Sequence, residues 1–185
     1  MMRRLAGLIL ALLLALGSPV AAFAQVIVSF HGHAGTQVRG GFLYFPHAYV
    51  RFTGTVEETG EPVDEAWGFT AANPGPQLLF ASGPGELSRP DARYLSEAID
   101  YAAMPISDDT YHAMQARLNH WRAGPGARYN LNRRNCITFV AEMARMAGLQ
   151  TPRENTLSPN GFLKDMAELN APLIAQVRSR EKLRE

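Results

Sequence analysis

The sequence predicts an α+β domain, an antiparallel sheet packed against a helix that begins at the only cysteine of the chain. Three observations lead there. β-Branched and aromatic runs at Gln25 to Phe30, His47 to Phe52 and Asp64 to Thr70 are separated by glycine-rich or polar segments, the signature of strands joined by turns. Apolar residues then recur at helical spacing from Asp108 to Arg122. The same spacing places Cys136, Val140, Met143 and Ala147 on one face of a second helix, with the thiol in its first turn.

The chain opens with Met1-Met2-Arg3-Arg4, an apolar run from Leu5 to Leu16 and the small-residue stretch Ala21-Ala22-Phe23-Ala24. A basic start, a short apolar core and an A-x-A site make a secretory signal, so residues 1–24 are expected to be a signal peptide cleaved after Ala24. A spanning helix needs roughly 20 apolar residues, and Gly17, Ser18 and Pro19 end this run early. No Cys follows for lipid attachment. The expected product works in the periplasm or medium, without a stable membrane anchor. Residues 25–185 suit one domain on the usual prior of about 100 to 200 residues. Lys and Arg number 18 against 17 Asp and Glu, and the leader removes Arg3 and Arg4, so near-neutral charge gives no reason to expect nucleic acid or an anionic membrane as partner.

The first strand, Gln25 to Phe30, is expected to break at His31-Gly32-His33-Ala34-Gly35. A glycine-rich link through Arg39-Gly40-Gly41 and a short strand from Phe42 to Phe45 follow, stopped by Pro46. His47 to Phe52 reads as a strand, Thr53 to Val63 as a hairpin loop, and Asp64 to Thr70 as the returning strand. Gly and Pro crowd Asn73 to Gly85, which predicts a long surface loop near the site. Ala98 to Ile106 reads as strand. Ser107 caps a helix from Asp108 to Arg122 whose Tyr111, Met114, Leu118 and Trp121 face the core. Gly124-Pro125-Gly126 ends it, a polar lead-in follows, and the helix from Cys136 to Ala147 closes at Gly148. Ser158-Pro159 opens a last helix to Leu169, and the charged segment from Ser179 frays.

One cysteine excludes an internal disulfide. A lone thiol exposed to an oxidising compartment is either inert and buried or retained for its chemistry. At a helix start, unpaired N–H groups and the positive end of the macrodipole favour a thiolate, so the expectation is a lowered pKa and a site able to hold an oxyanion. A thiolate needs a base. His112 and His120 lie on the polar side of a helix, whereas His47 opens a strand after a proline, from which an imidazole can be aimed at a helix end. If Phe52 pairs with Glu65, antiparallel register places Thr70 opposite His47, where its hydroxyl can orient the ring. His31 and His33 share a strand face, but a catalytic zinc usually takes three protein ligands and only His47 offers itself as a third. No metal or cofactor is expected.

Tyr129-Asn130-Leu131, Arg134-Asn135-Cys136-Ile137-Thr138-Phe139-Val140 and Ala147-Gly148-Leu149 with Pro152 together resemble the nucleophile helix of papain-like, NlpC/P60-type cysteine hydrolases. The N-C-x-x-F core is similar to that of their circularly permuted branch, which includes lecithin:retinol-acyltransferase-like and PPPDE-like proteins. There the histidine strand precedes the cysteine helix, as His47-Ala48-Tyr49-Val50 does here. The resemblance implies a papain-like fold, Cys136 as nucleophile and His47 as general base. A polar residue of the next strand would orient the base, a position where this chain shows Thr70 rather than His, Asn or Gln. Asn135 and Tyr129 are candidate substrate-binding residues. The expected activity is hydrolysis of an amide bond, with a peptide or peptidoglycan-type substrate. Acyl transfer by the same pair, and a papain-like domain that binds peptide or lipid without catalysis, remain as alternatives.

Overall fold

The computed structural model describes residues 25–35 and 46–182. The expected leader at 1–24, the link through Arg39-Gly40-Gly41 and the short strand at 42–45 lie outside these residues, as do the last three.

Alternating burial builds the sheet. In β1 (Val26–His33), Val26, Val28 and Phe30 are fully buried, and in β2 (His47–Thr55) so are Ala48, Val50 and Phe52. The two strands pair antiparallel from Val26↔Gly54 to His33↔His47, so partners share a face. β3 (Pro62–Ala71) returns antiparallel to β2 with Phe52 opposite Glu65, the register the hairpin predicts. β1 runs three residues beyond the expected end at Phe30, through His33. Gly32 fits inside the strand because Asn160 and Tyr101 occupy the space beside it, and a Cβ there would lie 2.0 Å from Asn160 Oδ1.

The long loop expected to Gly85 is interrupted. A 3-10 turn covers Pro76–Leu79, and β4 (Gly83–Ser88) pairs with β3 from Gly68↔Ser88 to Ala71↔Gly85. Cross-strand partners override the local Gly-Pro-Gly signal. A short helix that the sequence pattern does not announce, α1 (Ala92–Ser96), precedes β5 (Ile99–Ile106). β5 pairs with β1, and its edge position tolerates Pro105. The two-residue β6 (Arg128–Tyr129) closes the other edge, giving the order β5, β1, β2, β3, β4, β6.

The helices supply the second layer. α2 (Asp108–Arg122) starts where its cap predicts, Ser107 Oγ accepting from Thr110 N–H. α3 (Cys136–Met146) and α4 (Pro159–Leu169) also match expectation, with Gly148 at φ 81° after α3. α5 (Ala171–Lys182) extends into the segment from Ser179 expected to fray and buries Ile174. Phe30, Val50, Phe52 and Phe69 of the sheet meet Met114, Leu118 and Trp121 of α2 and Phe139, Val140 and Met143 of α3 in one cluster. Trp121 stands edge-on between Phe69 at 4.6 Å and Phe139 at 5.3 Å. Burying such a side chain stabilises the fold by roughly 1.5–3 kcal/mol.

The opposite face of the sheet carries the side chains that alternate with these, including His33, His47 and Tyr49. From β4 to β5 the chain must pass across β3, β2 and β1. Residues 89–98 make that crossing as a strap, and Tyr94 of α1 stacks on His33 at 3.9 Å and lies 6.0 Å from Tyr49. Among the described residues no helix is long and apolar enough to cross a membrane.

Candidate functional site

The tip of α3 is fixed before any chemistry is considered. Asn135 Oδ1 accepts from the N–H groups of Ile137 and Thr138 at 2.8 and 3.1 Å, and Asn135 Nδ2 donates to Leu131 O at 2.6 Å. Thr138 Oγ1 accepts from Asn135 N–H in return, which completes a capping box. Asn135 is 3% exposed, and its oxygen serves the helix.

This cap sets Cys136 under the end of the β2–β3 ladder. Their pairing stops at Val50↔Trp67, and beyond that point the backbone amides of Ala48, Cys136 and Ile137 lie close enough to the Cys136 sulfur to favour its anion. Burial acts against them and wins, pushing the thiol up to about 11. The expected lowering by the helix terminus is therefore overturned: the donors act on a sulfur that has lost its water, and desolvation penalises the anion more.

His47 precedes Ala48, whose backbone amide favours the Cys136 anion. Its Nε2 is buried without a hydrogen-bond partner and rests over Gly68, where a Cβ would lie 2.4 Å from it. Glycine at 68 is what admits the ring. Burial, aided by nearby His33, lowers the imidazole to about 4. Thiol and imidazole are thus both neutral at pH 7 in the resting site, and among the described residues no hydrogen bond joins them.

A cavity of about 440 Å³ gathers the predicted site residues: Cys136, His47, Thr70, Asn135 and Tyr129 all line it. Tyr129 reaches it from β6, its ring 5.9 Å from Phe69, and burial with the adjacent thiol raises its phenol. Thr70 pairs with Glu86 of β4 and makes no hydrogen bond to His47. The rest of the wall is apolar, with Pro74, Leu78, Leu79, Leu131 and Leu157 among it and, among the described residues, no Lys, Arg, Asp or Glu. Leu79 and Leu157 are each 59% exposed at the mouth.

A second cavity of about 330 Å³ shares His47 and Thr70 and is otherwise lined by Ser88, Arg89, Pro90, Asp91 and Tyr94. Sequence reasoning does not single out Asp91 and Tyr94; an Asp after Pro90 that caps a helix is the available signal. None of the remaining histidines is among the residues lining the cavity of Cys136. His31 Nε2 bonds Ser29 Oγ at 2.7 Å, and its ring stacks on Tyr49 at 5.1 Å. His33 Nδ1 accepts from Gly35 N–H, and its Nε2 lies 3.5 Å from Glu97. His112 and His120 are exposed on α2, as expected.

No family model and no curated protein sequence matches the chain. Among solved structures it is similar to a type VI secretion system effector, TseH, at 12% identity and a TM-score of 0.50, over 79% of this chain and 89% of that one. That likeness is one of fold: a mixed α and β architecture with an open antiparallel sheet, shared at a coarse level with a papain-like protein of the NlpC/P60 type.

Proposed function

We propose that this protein is an exported cysteine hydrolase that cleaves an amide bond through Cys136 and His47. The observation that carries the reading is the placement of one residue: Cys136, at the capped tip of α3, lines the same cavity as His47. As the sulfur attacks the carbonyl carbon, His47 takes the thiol proton, and the carbonyl oxygen becomes an oxyanion within reach of the Cys136 N–H. Collapse breaks the C–N bond, the amine leaves with the proton from His47, and a thioester remains on Cys136. Water then attacks that thioester, His47 accepts its proton, and the acid departs as the thiol re-forms. An acceptor other than water would make the same device an acyltransferase.

Because the pair rests neutral, proton transfer accompanies attack instead of preceding it. The apolar, uncharged wall favours an acyl portion with small or apolar side chains. A peptide, and in an exported protein the cell-wall peptide, is the proposed substrate; the compartment follows from the signal read at residues 1–24. Iodoacetamide titration tests the pair. In the native protein, Cys136 is expected to alkylate at neutral pH, His47→Ala to slow this at least tenfold, and Cys136→Ala to abolish cleavage of peptide or peptidoglycan fragments while leaving the circular dichroism spectrum unchanged. Activity that survives Cys136→Ala would end the proposal. One observation favours a second reading, a papain-like domain that binds without catalysis: burial holds the thiol and the imidazole in their least reactive forms. A thiol that resists alkylation until unfolding would establish it.

A further inference from the structure

The pair of Cys136 and His47 lacks one part. A general base needs a group that fixes its ring and carries part of the charge it acquires, yet His47 Nε2 is buried and has no hydrogen-bond partner among the described residues. The residue expected to serve, Thr70, is a neutral hydroxyl and makes no bond to the ring. The strap over the open sheet face supplies what the neighbouring strand does not.

Its course can be followed residue by residue. Ser88 is the last residue of β4 and lies opposite Gly68 of β3, the residue on which Nε2 rests. Tyr94 is already stacked on His33 of β1. β2, which carries His47, lies between β3 and β1, so the intervening residues, Asp91 among them, are carried across it. Asp91 accordingly lines the same cavity as His47 and Thr70, and among the described residues no other carboxylate does. Asp91 Oδ1 is held by the Tyr94 N–H at 2.8 Å, which fixes the side chain and leaves Oδ2 unbonded among the described residues. The carboxylate is not in direct hydrogen bond with Nε2. The His47 ring and the Asp91 carboxylate line one cavity with Thr70 and Ser88, while Nε2 itself is closed to water in the resting site, so contact between the two requires the ring to turn.

Resting on the Cys136–His47 reading, we propose that Asp91 is the positioning residue for His47: once substrate has settled the ring, its carboxylate accepts the Nε2 proton, orients Nδ1 toward the sulfur and stabilises the imidazolium. The other groups that face the ring are Cys136 from α3, His33 from β1, Thr70 from β3, Ser88 and Arg89 at the end of β4, and Tyr94 from α1. Arg89 is engaged elsewhere, over the Trp67 ring at 4.3 Å and on Glu65 at 3.4 Å. Asp91 therefore brings the anionic group of this cavity.

Asp91→Asn isolates the charge, because asparagine caps a helix as well as aspartate does and α1 should remain. Two readouts that a structural role would not move are the pH profile of Cys136 alkylation and the His47 titration followed by NMR. The expected result is a His47 midpoint lower by about one pH unit and alkylation slowed about tenfold near neutral pH, with Asp91→Glu restoring most of the rate. His47-dependent alkylation that Asp91→Asn leaves unchanged would overturn the role of Asp91 while the Cys136–His47 pair stood. The role is equally overturned if Thr70→Val moves the profile and Asp91→Asn does not. Alkylation indifferent to His47→Ala would remove the pair itself, and the assignment of Asp91 with it.

Discussion

At Cys136 two effects of one placement oppose each other. The helix terminus and the Ala48 amide favour the anion, while burial removes the water that would solvate it, and the outcome is a thiol held at about 11. His47 shows the same dominance of desolvation with opposite sign, at about 4 against an ordinary 6.5. The sign for stability follows from proton counts. Between pH 6.5 and 4 the unfolded chain binds a proton at His47 that the folded chain refuses, so this residue contributes a loss of stability as pH falls through that window and none above it. At the alkaline side, from about 9 to 11, unfolding releases the Cys136 proton that the fold retains, and stability falls as pH rises. Urea midpoints measured across pH should show His47→Gln flattening the acid slope by about one proton and Cys136→Ser flattening the alkaline one. The residue types and their order along the chain were legible in the sequence; the direction of both shifts was not, because desolvation depends on what the rest of the chain stacks over the site.

At the scale of elements, those set by local chemistry were the readable ones. Ser107 capped α2 and Ser158 capped α4 because a hydroxyl before an apolar-periodic run satisfies the first N–H groups. The alternation of β2 and β3 announced a hairpin, and the pairing of Phe52 with Glu65 that the sequence offered as a condition is the one the sheet adopts. α1 has five residues and buries none of them, so it carries no periodic signal. β4 is held in place by its pairing with β3, which no local pattern announces. For α3 the cap does two jobs, since Asn135 both starts the helix and fixes the height of the sulfur. Asn135→Ala is expected to cost about 1–2 kcal/mol, read as a lower urea midpoint, and to slow alkylation of Cys136. Asn135→Ser should recover most of the stability.

For the whole molecule, one apolar cluster ties the sheet to α2, α3 and α4, and Phe139 stands near its middle, fully buried and edge-on to Trp121. Phe139→Ala should therefore cost about 3–5 kcal/mol, seen as a large fall in thermal midpoint, although the side chain is far from the chemistry in role. The α+β arrangement was legible because strand and helix periods separate cleanly along the chain. What escaped the sequence was the route of the strap, and hence the second wall of the site, since a crossing over three strands is a property of sheet order.

That sheet order has a consequence for how the molecule comes into being. β1 is the earliest strand described, yet it lies between β2 and β5, so one of its borders stays open until synthesis has passed Ile106. Such distant pairing slows folding, and an unpaired strand border invites association with other chains. A nascent chain ending short of β5 would offer that border to whatever holds it unfolded.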